Sequence, residues 1–263
     1  MTKEKTGKKA EEKTEEKSAS SLSRMLGVLD LFDDSMLTRT AESIAEDMGV
    51  SVPTGYRYVR MLVEAGLLQR LENSHYTLGP RIILLDHYIR KADPVLREGI
   101  PLMRELVEQT GFDCVISGMF GNQLLDTHRE YGSAPATLAY GRGRPRPMFK
   151  GGAPKVILAS LPSAQLHKLF DTYEAERFEA GLPGEWSDFR RYYAGIRKAG
   201  FYLSNGELEP HLAALAVPIP KEGGGIWGAL QLVFNTSRLG IVDTDKLAEL
   251  VMATAQRLAT RLN

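Results

Sequence analysis

The stretch TAESIAEDMGVSVPTGYRYVRMLVEAGLLQRLENSHYTLG, residues 40–79, decides the fold of the first part of the chain. Thr40–Met48 reads as a short helix with Ile44, Ala45 and Met48 on one face, and Gly49 breaks it. Ser51 is placed to cap the next helix, in which Val52, Tyr56, Val59 and Val63 recur at helical spacing. Gly66 closes that helix in the C′ role. Leu67–Leu71 and Tyr76–Leu78 read as short strands, turning at Asn73 and Ser74. Upstream, Leu22, Met25, Leu26, Leu29 and Phe32 give an earlier helix starting at Ser21. Helix, short helix, Gly-containing turn, helix and hairpin is the order of a winged helix-turn-helix.

In that arrangement the third helix meets DNA. With Val59 at the centre of its buried face and 100° per residue, Val52, Tyr56 and Val63 fall within about 60° of the centre. Thr54, Arg57, Met61 and Glu64 fall opposite, flanked by Ser51 and Arg60. Arg57 is the strongest candidate contact, since a guanidinium serves either a phosphate or a guanine edge. Residues 21–79 hold five Lys/Arg against eight Asp/Glu, a net of −3. Phosphate neutralisation by one copy is therefore modest. A dimer on a near-palindromic double-stranded operator is expected. The acidic balance keeps a second reading open: a small-molecule sensor or adaptor whose head docks a protein.

Working outward, the chain has 263 residues, with 33 Lys/Arg balanced by 33 Asp/Glu. That excludes a wholly basic coat for nucleic acid. The single cysteine, Cys114, excludes an internal disulfide and a Cys-rich zinc module. No apolar run approaches the roughly 18 residues of a membrane span, and no apolar leader core opens the chain, so a cytoplasmic protein without membrane association is expected. Residues 1–20 are a Lys/Glu/Ser/Thr tract too poor in apolar surface to order itself, and read as a disordered tail. Arg81–Lys91 is helical, Pro94 punctuates, and Val95–Gln109 is helical up to Gly111. The period then changes to two. Cys114–Phe120 and Gln123–Glu130 flank Gly121-Asn122, and Leu212–Ile219 and Ile226–Phe234 flank Gly223-Gly224-Gly225. Asp243–Leu262 is an amphipathic helix, with Leu247, Leu250, Val251, Thr254 and Leu258 on one side. The expected layout is a tail at 1–20, a winged helix-turn-helix at 21–79, a linker helix at 80–92 and an α+β domain at 93–263.

Three motifs resemble the IclR family of bacterial transcription regulators. They are Ser21-Leu22-Ser23-Arg24-Met25-Leu26, then Ser43-Ile44-Ala45 through Val52-Pro53-Thr54-Gly55-Tyr56-Arg57, and Tyr76-Thr77-Leu78-Gly79. Pro101, Leu106, Thr110 and Gly111 match the helix that opens the family's effector domain. The resemblance covers about residues 21–262. It implies a winged helix joined to a GAF-like effector domain with an antiparallel sheet, dimers and tetramers, and a ligand-responsive repressor or activator. On the DNA side it points to Ser51, Thr54, Gly55, Tyr56, Arg57 and Arg60, with Arg70, Asn73 and His75 of the wing near phosphates. The effector pocket it implies is lined by Leu138, Gly152, Ala153, Ser204, Leu212, Ala214, Gln231 and Val233. Gly152 and Ala153 would present backbone N–H groups to a ligand oxygen. The chain departs from the family pattern in this region: Phe149 stands for the usual His, Gly151 for Thr, Pro154 for Gly, Ser204 for Asp and Ala214 for Cys. These changes suggest a roomier or less polar pocket, suited to a small organic acid with an aromatic or other ring.

Gly141-Arg142-Gly143-Arg144-Pro145-Arg146-Pro147 contains an Arg-Gly-Arg-Pro resembling a minor-groove hook. Inside the second domain it reads rather as an exposed basic loop, or else as a source of arginines for an anionic effector or a neighbouring subunit. His75, His87, His128, His167 and His211 show no metal-ligand spacing. There is no Gly-x-Ser-x-Gly elbow, phosphate loop or dinucleotide fingerprint, and nothing nearby activates Lys150 or Lys155. No enzyme, catalytic residue, cofactor or metal is expected.

Overall fold

The computed structural model describes residues 21–138 and 140–263, and the tail expected at 1–20 lies outside the described residues. Two compact units part between Arg90 and Lys91.

In the first unit, α1 (Ser21–Gly27) continues as a 3-10 turn (Val28–Leu31), so the helix is shorter than its apolar spacing suggests. Val28 is buried, whereas Leu22 and Leu26 are exposed. The strand β1 (Arg39–Thr40) leads into α2 (Ala41–Asp47), where Thr40 and Ser43 form a reciprocal capping box. Helix α3 (Val52–Glu64) follows, then β2 (Leu68–Arg70) and β3 (His75–Leu78). The wing is a three-stranded sheet in the order β1-β3-β2, one strand more than the sequence suggested. Asn73 and Ser74 make its turn with positive φ of 54° and 59°.

The inner face of α3 is rotated from the expected one. Gly55, Tyr58, Val59 and Leu62 are buried, while Val52 and Tyr56 are exposed. The shift is about 50° at 100° per residue. Its cause is Gly55. A Cβ there would lie 2.7 Å from the Ala45 Cβ and 2.9 Å from the Ala41 carbonyl oxygen, so α2 and α3 cross at a point only glycine fits. Gly55→Ala is expected to cost about 1–3 kcal/mol through overpacking. Urea unfolding of the full chain checks this by the midpoint of its N-terminal transition, and an unchanged midpoint contradicts the close crossing.

The second unit begins where α4 (Arg81–Ala92) ends. Asp93 caps α5 (Pro94–Thr110) through the N–H groups of Val95 and Leu96, and Gly111 ends it at φ 72°. Next come β4 (Asp113–Phe120), β5 (Gln123–Glu130) and the two-residue β6 (Pro145–Arg146). Four helices follow: α6 (Gly152–Ser160), α7 (Ser163–Thr172), α8 (Glu174–Glu179) and α9 (Trp186–Ala199). The chain finishes with β7 (Tyr202–Asn205), β8 (Leu212–Pro220), β9 (Ile226–Asn235) and α10 (Thr244–Leu262). The six strands form one antiparallel sheet in the order β6-β5-β4-β9-β8-β7.

Alternation along β8 and β9 divides two cores. Leu215, Val217, Leu230 and Leu232 pack with Leu102, Met103, Val251 and Leu258 of α5 and α10. Ala216 and Ala229 meet Phe149, Phe189 and Tyr193 on the opposite face. That second face is small by design of sequence: a Cβ on Gly152 would sit 3.0 Å from the Ala216 Cβ, so α6 lies directly on β8. Cys114 is buried in the first core as a small hydrophobe, and burial pushes its thiol pKa up. The folded chain is expected to resist a thiol reagent that reacts at once in 6 M guanidinium, as a colorimetric thiol assay reads directly. Fast labelling of the folded chain contradicts this burial.

Candidate functional site

Two regions gather the singled-out residues, one in each unit. In the first, the outer face of α3 and the wing bound a groove of about 740 Å³. Tyr56, Arg57, Arg60, Arg70 and Ser74 line it, so three guanidinium groups from two elements share one concavity. Arg57 is exposed, with its Cζ 5.7 Å from the Tyr58 ring centroid. Arg60 lies 3.6 Å from Glu64 one turn on. Tyr56 donates from its hydroxyl to Glu42 at 2.5 Å. That bond holds the Glu42 carboxyl below its ordinary range and pushes the Tyr56 phenol up.

At the N-terminus of α3 the hydroxyls of Ser51 and Thr54 share a hydrogen bond of 2.9 Å. Ser51 caps through its carbonyl, which accepts from the Thr54 N–H at 2.8 Å, rather than through its side chain. Asn73 and His75 sit at the wing, with His75 Nδ1 3.0 Å from the Asn73 carbonyl oxygen. Gly55 is corrected: it faces α2, not the groove. Ser74 lines the groove and was not singled out beforehand, because a turn serine carries no periodic signal. Arg39 is spent inside the unit, paired with Asp47 and donating to the Leu31 carbonyl at 2.6 Å.

In the second unit a cavity lies between the N-terminus of α6 and the β7–β8–β9 face. Leu138, Gly152, Ser204, Leu212, Ala214, Gln231 and Val233 all line it, brought together from the 131–138 loop, α6 and three strands. Ala153 does not. Its N–H donates to Gln231 Oε1 at 3.2 Å within the protein, so it is not offered to a ligand. The cavity is small as it stands, about 30 Å³. Leu208 and Glu209 of the segment 206–210 stand in its wall. Glu207 on that segment accepts from the Gly151 N–H at 3.2 Å and from the Tyr202 hydroxyl at 2.6 Å, and lies 3.6 Å from Lys155. Lys155 is buried at 3% exposure and donates to Tyr192 at 2.8 Å. Burial and the Glu207 bond push the Tyr202 phenol up.

Arg146 also lines the cavity. It is 8% exposed, which removes it from the exposed-loop reading of residues 141–147. Its Nε and Nη2 each donate to Asp126 at 2.6 Å, and Ser117 donates to the same carboxylate at 2.7 Å. Asp126 stands 20 positions earlier on β5, which pairs with β6, so only the sheet brings the two together. Among the described residues no group of three or more His, Cys, Asp or Glu is placed to hold a metal ion. Among them, no helix is long and apolar enough to cross a membrane.

Residues 21–72 match the family described as IclR helix-turn-helix domain, and residues 87–260 match bacterial transcriptional regulator IclR C-terminal. The HTH-type transcriptional regulator XynR of Escherichia coli is 27% identical over 230 residues, covering 87% of this chain and 90% of that protein. A solved IclR-type regulator from a Silicibacter species superposes with a TM-score of 0.77 at 24% identity, covering 92% of this chain and 96% of that one. An IclR homologue from Microbacterium hydrocarbonoxydans, solved with 4-hydroxybenzoate, gives a TM-score of 0.70 at 21% identity, covering 92% and 99%. The groove of arginines on a helix-turn-helix and the matches over both units agree: the chain belongs to the IclR family of bacterial transcriptional regulators, DNA-binding proteins that are not enzymes.

Proposed function

We propose that two copies of this chain bind a near-palindromic operator through α3 and the wing, and that a small organic acid in the cavity beside α6 controls the binding. The convergence of Arg57, Arg60 and Arg70 on one groove carries the DNA half of the reading. Residues 21–79 act as the DNA-binding head, 80–92 as the linker and 93–263 as the effector domain, in the cytoplasm. Ser51 and Thr54 reach the major groove from the first turn of α3, while Asn73 and His75 approach phosphates. The acid is favoured by the 4-hydroxybenzoate complex of the Microbacterium homologue and by the apolar wall of Leu138, Leu212, Ala214 and Val233.

The dimer rests on α4. It has no buried residue, and Ile83, Leu84, Leu85, Tyr88 and Ile89 are all exposed, Ile83 at 74%. A second copy of the same helix covers that apolar surface in a two-fold contact, and pairs of dimers join through their effector domains. Ile83→Glu/Ile89→Glu is expected to shift the protein from dimer to monomer in sedimentation velocity at micromolar concentration. A variant that sediments as the parent contradicts α4 as the contact. Because α4 joins head to sensor, a ligand that prefers one arrangement of the heads shifts the operator equilibrium by its differential affinity.

A second reading, a head that docks protein, is favoured by the net −3 of residues 21–79. Salt separates the two. Operator affinity must fall linearly as log K against log salt, and affinity indifferent to salt supports the docking head.

A further inference from the structure

We propose that Arg146 is the anchor for the effector's carboxylate, and that the acid takes this position by displacing the strap at residues 206–210. The inference rests on the reading of the cavity as an effector site. The Nε/Nη2 edge of the guanidinium is taken up by Asp126, which Ser117 holds in place. The side that carries Nη1 turns toward Gly151 in the cavity wall, where a Cβ would lie 4.0 Å from that nitrogen. A guanidinium clamped along one edge can offer a second to a planar carboxylate, with its rotamer already fixed. Asp126 is therefore a positioning residue: it aims Arg146 and balances its charge.

The strap forms part of the cavity wall through Leu208 and Glu209. Glu207 fastens it to the Gly151 N–H and Lys155, and Glu209 is among the residues that line the cavity. An acid that lifts the strap offers its own carboxylate to the donors that Glu207 leaves, the Gly151 N–H and Lys155, so the local charge stays matched while the volume opens. Neutral rings lack that exchange. The class of ligand is a monocarboxylate with a flat apolar body, of which benzoate is the plainest example.

The test is thermal unfolding of the full-length protein with benzoate and 4-hydroxybenzoate, set against benzamide and phenol at equal concentration. The acids are expected to raise Tm and the neutral compounds to leave it unchanged. Arg146→Lys keeps a cation beside Asp126 but loses the second planar edge, and is expected to weaken acid binding at least tenfold. Asp126→Asn/Arg146→Gln leaves no lone buried charge and is expected to abolish the response, which guards against a single variant that fails to fold. If neither acid raises the Tm of the parent, the acid-binding reading of the cavity falls, and this inference with it. If the acids shift both variants as much as the parent, the cavity reading stands and the role of Arg146 is overturned.

Discussion

Arg57→Ala is expected to weaken operator binding by about 5–150-fold for each recognition helix, corresponding to about 1–3 kcal/mol for a base-reading arginine. Arg57 is exposed on the groove face of α3. Both helices of a dimer lose the contact, so the two losses multiply on a palindromic site. The variant should also discriminate less between the operator and single-base mutants of it. A uniform loss across all sequences would instead assign Arg57 to a phosphate. Arg60→Ala should cost less, because Arg60 already lies near Glu64 and is mostly solvated there. Electrophoretic mobility shifts with a selected duplex separate these cases, and an Arg57→Ala protein of undiminished affinity contradicts the assignment of α3.

Asp126→Ala is the second large effect. Removing one partner of a buried, hydrogen-bonded ion pair leaves an uncompensated charge, at a cost of about 3–5 kcal/mol. Both side chains here are 4% exposed, so solvent screens the pair little. At roughly 2–4 °C per kcal/mol for a domain of this size, the transition of residues 91–263 should fall by about 6–20 °C. Asp126→Asn/Arg146→Gln should lose much less, since no lone charge remains. Scanning calorimetry of the three proteins checks the ordering, and equal transitions for parent and Asp126→Ala show that the pair does not hold the sheet edge.

Much of the architecture was legible because it is local. Pro94, the αL glycine Gly111 and the turn at Gly121-Asn122 announce α5 and the β4–β5 hairpin by their own chemistry. Helix α6 gives no amphipathic period, because all of Gly152–Ala159 is buried. In α9 the spacing of Phe189, Tyr193 and Ile196 is present in the sequence, but it stands amid charged residues directly after the short helix α8. The rotation of α3 was hidden for the opposite reason: Gly55, the residue that sets it, has no side chain to count.

The sites divide in the same way. Seven of the eight effector-side residues line the cavity, since the family resemblance carries over strand and helix positions that the sheet brings together. Arg146 could not be placed from sequence. Its meaning depends on Asp126 across β5–β6 and on a pairing of only two residues. The size of the cavity was equally out of reach, because Leu208 and Glu209 belong to a loop whose path no residue pattern fixes. On the DNA side Arg57, Arg60 and Arg70 share one groove, as an outer helix face and an adjoining wing require.

The most direct test of the central claim is selection of duplexes from a random double-stranded pool by the full-length protein, followed by a salt titration of the enriched sequence. A near-palindromic consensus with half-sites about one helical turn apart is expected. Log K of the enriched duplex should fall linearly with log salt, by about 0.9 for each phosphate neutralised. Failure to enrich any duplex, or binding indifferent to salt, would contradict it.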